Sequence, residues 1–340
     1  MRIAVDAMGG DHAPARPVEG ALAAARNLAL GVDLVGRADL VHAELQRHPD
    51  LQALDVRVID APDVVDMSES PIKALRRKPG ASIQVAANHV AAGHAAALFS
   101  AGHTGASVVA AHAAFGMVPG ADRPALAPTV PTRQGSAILV DAGATVECRP
   151  AHLVQCAHMG AIYARVGLGI ERPRVGLLSI GEEETKGNEL TRETHQLLKG
   201  SALNFIGNVE ARCIFAGDAD VVVCDGFTGN VALKLSEGLV EMVEDLLGAE
   251  LQSTFSGQVG YLLSRRAFRR FRTRVDYSEF GGAPLLGVAG LCVVGHGRSS
   301  VKAVRNAVAM ASRMAGNQMM ERLSTQMGQM TQTGQGAGAQ

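Results

Sequence analysis

One arrangement recurs along the whole chain: a short apolar run stops at a glycine-containing polar loop, and a helix-period pattern follows. "RIAVDAMGGDHAP" precedes a helix expected over 16–28, with Pro17 suited to its first turn. "ALFSAGHTGA" precedes 106–115, "AILVDAGATVECRP" precedes 151–166, and "RVGLLSIGEEETKGN" precedes 189–199. "DVVVCDGFTGN" precedes 231–247 and "GLCVVGHGRSS" precedes 300–321. Strands that alternate with helices predict an α/β fold with a mostly parallel sheet covered on both faces. Ligands then bind outside the carboxyl ends of the strands. In one continuous sheet all six loops would share that edge.

A length of 340 residues suits about two domains or one large one, and the recurring pattern favours a single α/β domain over 1–322. Tryptophan is absent and aromatics are 4%, so a core drawn from 47% hydrophobic residues must be aliphatic and alanine-rich. A net charge of −1 predicts no global attraction to nucleic acid or membrane. Cysteines 148, 156, 213, 224 and 292 form no CxxC pair. With no signal peptide and no membrane-length apolar run, they indicate a reducing, cytoplasmic setting. Two stretches break the pattern. Residues 251–280 contain "GYLLSRRAFRRFRTRVDYSEF", and the polar, Gly/Gln-rich 323–340 reads as a disordered tail.

Glycines, backbone N–H groups and helix N-termini together make anion sites. Asp6, Gly9, Gly10 and Asp11 fit that use, as do Gly102, Thr104 and Gly105, and Gly226, Thr228 and Gly229. Each alone is equally a tight βα connection; six such loops in one chain are harder to dismiss. No GxGxxG, GxxxxGK[ST], GxSxG or HExxH is present, so no dinucleotide fingerprint, P-loop, nucleophile elbow or zincin helix is available. His89 with His94, and His152 with His158, read as packing or surface residues rather than metal ligands. Anion cradles without a protein nucleophile suggest that a bound anion is itself the reactant.

"VDAMGGDHAP", "SAGHTGA", "VDAGATVECRPAHLVQCAHMGAIYA", "IGEEETKGNEL", "NFIGNVE", "VVVCDGFTGNVALK" and "DYSEFGGAPLLGV" resemble, in that order, the bacterial acyl-ACP:phosphate acyltransferases of phospholipid synthesis. The resemblance runs from residue 1 to about 320. It implies transfer of a long-chain acyl group from acyl carrier protein to inorganic phosphate. The acyl-phosphate product would feed a membrane glycerol-3-phosphate acyltransferase. A homodimer is implied too, with a Rossmann-like fold related to phosphotransacetylases and isocitrate/isopropylmalate dehydrogenases, and with no metal or other cofactor. The chain departs from the family pattern at His103, where asparagine is usual, and at Thr145 and Glu147, where the pattern is "GANxD".

The expected catalytic set is Lys186, Asn230, Asp225 and His296. Lys186 would contact phosphate or the developing oxyanion, with the glutamates before it capping the next helix or pairing with arginines. Asn230 would donate its amide to the acyl carbonyl or pantetheine arm, and a helix-capping role is equally open and compatible with it. Asp225 would orient Lys186 or a water, and His296 is the remaining acid–base candidate. In 261–275, Tyr261, Ser264, Phe268, Phe271 and Val275 share a helix face bordered by Arg265, Arg266, Arg269, Arg270, Arg272 and Arg274. With Leu262, this segment would bind an anionic membrane or acidic acyl carrier protein, or else pack at the dimer interface. The nearest alternative function is a short-chain phosphotransacylase using coenzyme A.

Overall fold

The structure is a computed structural model describing residues 1–275 and 280–337. Residues 276–279, part of the "DYSEF" segment, and the side chains of Arg272 and Val275 lie outside the described residues. The chain opens with β1 (Arg2–Asp6), α1 (Ala15–Leu28), β2 (Gly31–Gly36), α2 (Ala38–Leu45), β3 (Val56–Asp60), α3 (Pro71–Arg77), α4 (Ser82–Ala91), β4 (Ala97–Ser100) and α5 (Thr104–Phe115). It continues through β5 (Ala125–Leu126), β6 (Thr129–Thr132), β7 (Gly135–Val140), α6 (Pro150–Leu168), β8 (Val175–Leu178), α7 (Glu189–Lys199), β9 (Phe205–Val209), α8 (Cys213–Ala216) and β10 (Val221–Val223). A long hairpin of α9 (Gly226–Ser253) and α10 (Phe255–Val275) follows. Then come β11 (Ala283–Leu286), β12 (Cys292–Val294), α11 (Val301–Gly316) and α12 (Met319–Ala337).

The α/β class with mostly parallel strands is as expected, but the sheet is not continuous. Among the described residues the order β3-β2-β1-β4-β12-β11-β5 makes one sheet and β6-β7-β10-β8-β9 makes a second. The loops after β1, β4 and β12 are neighbours at one carboxyl edge, and those after β7, β10 and β8 at the other. The short β5 joins the two systems: Leu126 N–H donates to Asp141 Oδ1 (2.8 Å), and Ala142 N–H returns to the Leu126 carbonyl. Six loops on a single edge become three facing three.

The core is aliphatic and alanine-rich, and its largest fully buried side chain is Tyr163. The Tyr163 hydroxyl lies 3.2 Å from Thr129 Oγ1, satisfying a polar group that burial would otherwise leave unpaired. Of the four histidines set aside as ligands, His89 lies 2.8 Å from buried Asp33, and its ring packs beside His94. His152 accepts from Arg149 N–H at the start of α6.

Helices begin closer to their strands than the sequence pattern indicated. α9 starts at Gly226 rather than 231 and α5 at Thr104 rather than 106, because the glycine-containing turn is itself the first helical turn. The tail is the larger correction. Leu323 and Met327 are fully buried, and Arg165 donates to Gln326 Oε1 (2.7 Å). Met319, Leu323 and Met327 recur every fourth residue, an apolar stripe that the polar composition concealed.

Burial brings the His158 imidazole down to about 4. A histidine whose folded value lies below its unfolded one stabilises the fold above the unfolded value and loses that contribution as pH falls towards the folded one. Unfolding free energy should therefore drop between about pH 6.5 and about pH 4. A His158→Gln variant should lose less over that window in denaturant titrations; equal losses would contradict the assignment.

Candidate active site

A cleft of about 410 Å³ opens between the carboxyl edges of the two sheets. From one side it receives Asp11, Gly102, His103, Thr104, His296 and Gly297; from the other, Gly143, Asn230, Leu233, Lys234 and Glu237. A smaller, more polar recess adjoins it, sharing Asp11, Gly102 and His103 and adding Asp6, Gly9, Gly10 and Ser100.

Two buried aspartates shape these walls. Asp6 accepts from Ser100 Oγ (2.7 Å) and Met8 N–H (3.1 Å), folding the β1 loop onto the β4 loop. The loops approach so closely that a Cβ at Gly9 would lie 2.8 Å from Gly102 N, so only glycine fits. Asp141 accepts four backbone N–H groups. Leu126, Gly143 and Ala144 donate to Oδ1 (2.8, 3.0 and 2.9 Å) and Thr145 to Oδ2 (2.6 Å). Burial pushes both carboxyls above their ordinary values, opposed by these hydrogen bonds. The role of Asp141 was not read from the sequence, although an acid ending a buried strand before "AGAT" was the available signal.

Helix α9 is seated on this frame. Asp225 is its N-cap, accepting Thr228 N–H at Oδ1 (2.9 Å) and Thr228 Oγ1–H at Oδ2 (2.7 Å). Its carboxylate is thereby engaged within its own loop, and no bond to Lys186 is formed. Asn230 is not a cap: it lies inside the helix, exposed and against Gly143 in the cleft. Gly226 and Gly229 are buried in the seat; Gly229 passes so close to the Asp141 carbonyl that a Cβ would overlap it. These two glycines and Thr228 do not line the cleft.

On the other wall His103 caps α5, its Nδ1 accepting from Gly105 N–H (3.1 Å). An asparagine side-chain oxygen serves the same purpose, so the departure at 103 preserves the cap. Gly105 packs towards Pro71, away from the cleft. Thr145 is committed to structure, its Oγ1 donating to the Pro124 carbonyl (3.0 Å), and Glu147 is exposed. His296 faces the cleft with Nδ1 accepting from Arg298 N–H (3.1 Å), which leaves the proton of the neutral ring on Nε2, 3.7 Å from Glu237 Oε2.

Lys186 stands apart. Its loop follows β8, one strand beyond β10, and its stem folds over Gly181; the side chain is exposed and does not line the cleft. The neighbouring acids behave partly as expected. Glu182 approaches Arg212 (3.6 Å), while Glu184 pairs with a lysine, Lys199 (2.6 Å). The cap of α7 is Asn188, accepting from Thr191 N–H (2.9 Å), not a glutamate. Lys234, which the sequence reading did not assign, is a cation lining the cleft, as is Arg298. Lys234 sits four residues after Asn230, on the same helix face.

Solved structures place this architecture in a fold class. A phosphotransacetylase from Streptococcus pyogenes matches with a TM-score of 0.60 at 16% identity, covering 93% of this chain and 94% of that one. A 4-hydroxythreonine-4-phosphate dehydrogenase from Klebsiella pneumoniae matches with 0.52 at 13%, covering 93% and 97%. At such identities the likeness shows the fold alone. The sequence comparisons reach further. Residues 1–322 match the family described as "Fatty acid synthesis protein". Phosphate acyltransferases from Geobacter sp. (strain M21) and Syntrophotalea carbinolica are 52% and 49% identical, covering 93% and 96% of this chain and 89% and 94% of theirs. The chain belongs to the phosphate acyltransferase family and is an acyltransferase.

Proposed function

We propose that the chain transfers a long-chain fatty acyl group from acyl carrier protein to inorganic phosphate, giving acyl-phosphate for phospholipid synthesis. The observation that carries this reading is the cleft, where backbone cradles at 102–104 and 296–297 face the amide of Asn230 and the ammonium of Lys234. A phosphate oxygen attacks the thioester carbon, negative charge gathers on the carbonyl oxygen, and the carbon–sulfur bond breaks. Asn230 donates to that oxyanion, Lys234 and the loops hold phosphate, and His296 Nε2–H hydrogen-bonds the departing thiolate, which takes its proton from the hydrogenphosphate acceptor. Holding two reactants in place contributes about 7–11 kcal/mol and requires no covalent enzyme intermediate. Equal mixtures of palmitoyl-acyl carrier protein and palmitoyl-coenzyme A should be consumed from the carrier-protein pool first. Preference for coenzyme A would favour the phosphotransacylase alternative.

Lys186, on the neighbouring loop, contacts phosphate as it enters. Lys186→Ala should raise the KM for phosphate roughly tenfold, a loss of about 1.4 kcal/mol. Unchanged kinetics would leave Lys234 as the phosphate cation.

The α9–α10 hairpin supports the two remaining assignments. Tyr261 and Phe268 pack together, ring centroids 5.3 Å apart, in a groove completed by Leu247 and Leu251 of α9, so this face of α10 is turned towards its own hairpin. Leu262 and Leu263 point outward instead, 67% and 81% exposed, beside exposed Arg265, Arg266 and Arg269. This surface docks on anionic membrane, near the membrane acyltransferase that takes the product. Among the described residues no helix is long and apolar enough to cross a membrane. Leu262→Asp with Leu263→Asp should abolish sedimentation with anionic liposomes; undiminished sedimentation would exclude the surface. The α9 stripe of Val231, Leu235, Leu239, Met242 and Leu246 is exposed and is the face a second copy covers in a homodimer. Leu239→Glu should halve the mass measured by light scattering, and an unchanged mass would remove the stripe from the interface.

A further inference from the structure

Helix α9 is pinned to the second sheet by its first turn, where Gly226 and Gly229 are its buried residues. One turn on, Ala232 and Leu233 still pack against the core of that sheet, and beside them the helix leaves a small groove of about 50 Å³. Val130 and Leu139 form the floor, Ile214 and Phe215 one wall, and Leu233, Ser236 and Val240 the helix side. Its lining is almost wholly apolar. The groove adjoins the reaction cleft, sharing Val130, Leu233 and Glu237 with it. Polar groups that hold an anion therefore give way, along one helix, to a narrow apolar channel.

We propose that this groove binds the alkyl chain of the acyl donor and sets chain-length preference. The inference rests on the acyl-transfer reading given above. An alkyl segment suits this lining because it needs no hydrogen-bond partners and gains in proportion to the apolar surface it removes from water. Its carbonyl end lies beside Asn230, and successive methylenes pass Leu233, Ser236 and then Val240. Discrimination per methylene in such a channel is large enough to read kinetically.

The two helix positions form a ruler. Ser236 points into the groove with its hydroxyl donating to the Ala232 carbonyl (2.7 Å), so Ser236→Phe fills the channel without removing a tertiary bond. Val240→Phe blocks it one turn further from the cleft. With octanoyl-, lauroyl- and palmitoyl-acyl carrier protein, the palmitoyl-to-octanoyl ratio of kcat/KM should fall at least about tenfold in both variants. The decline should begin at a shorter chain in Ser236→Phe than in Val240→Phe. A ratio within about twofold of wild type in both, or a loss uniform across all three donors, would overturn the proposal. An unchanged ratio with weakened dimerisation would assign the groove to subunit contact instead. Wild type that makes acyl-phosphate from none of the donors would sink the underlying reading, an outcome distinct from failure of the groove.

Discussion

Asp141→Ala should be among the most destabilising single substitutions in this chain, costing about 2–4 kcal/mol in denaturant unfolding. The carboxylate is fully buried and holds the N–H groups of Leu126, Gly143, Ala144 and Thr145. Each buried donor left without an acceptor costs about 1–3 kcal/mol. Two effects keep the sum below four such terms: water can reach the half-buried loop, and removing a buried carboxylate also removes its desolvation cost. Asp141→Asn separates the contributions. An amide oxygen keeps the three bonds to Oδ1, but an N–H in place of Oδ2 faces Thr145 N–H, so a single mismatch of about 1–3 kcal/mol is expected. A loss below 1 kcal/mol for Asp141→Ala would mean that the loop does not depend on its aspartate. Because Leu126 belongs to the first sheet and the Asp141 loop to the second, the same variant should also impair turnover by letting the cleft walls separate.

Asn230→Ala is expected to lower kcat about 10²- to 10³-fold while leaving thermal stability nearly unchanged. Removing one preorganised oxyanion donor typically has that effect. The fold should not notice, since Asn230 is exposed within α9 and the capping belongs to Asp225. Asn230→Asp should be at least as inactive, as a carboxylate would repel the developing charge. Asp225→Ala should show the opposite pattern, costing about 1 kcal/mol of stability through the lost cap. If Asn230→Ala retained more than about a tenth of wild-type kcat, the oxyanion role would pass to backbone N–H groups of the 102–104 or 296–297 loops.

Much of the fold was legible because strand and helix periods are local properties. "ELTRETHQLLK" marks α7 to the residue, and the pattern over 16–28 falls one residue inside α1. The division into two sheets was not legible, since it depends on which strands pair. The link between the sheets is a two-residue strand, Ala125–Leu126, which carries no periodic signal. The tail failed for another reason: Leu323 and Met327, which continue the spacing begun at Met319, were outweighed by glycine and glutamine around them.

The site shows how one misplaced boundary spreads. With α9 taken to begin at 231, Asn230 reads as a possible cap and Lys234 as a first-turn residue, so the two do not share a face in view of the cleft. With the helix starting at Gly226, they stand one turn apart on its cleft side. Lys186 drew notice because lysine is scarce and its motif is distinctive, but neither property reports direction. Two of the three acids before it, Glu182 and Glu184, are accounted for by Arg212 and Lys199, contacts that need the tertiary structure to be seen.

The central claim is that inorganic phosphate is the acceptor of an acyl group carried on a protein thioester. Purified protein should be incubated with palmitoyl-acyl carrier protein, with and without phosphate. Free carrier thiol and acyl-phosphate, trapped as the hydroxamate, should be quantified together. Equimolar appearance of the two, strictly dependent on phosphate, is expected. Thiol release without phosphate, or phosphate-dependent consumption confined to coenzyme A thioesters, would contradict it.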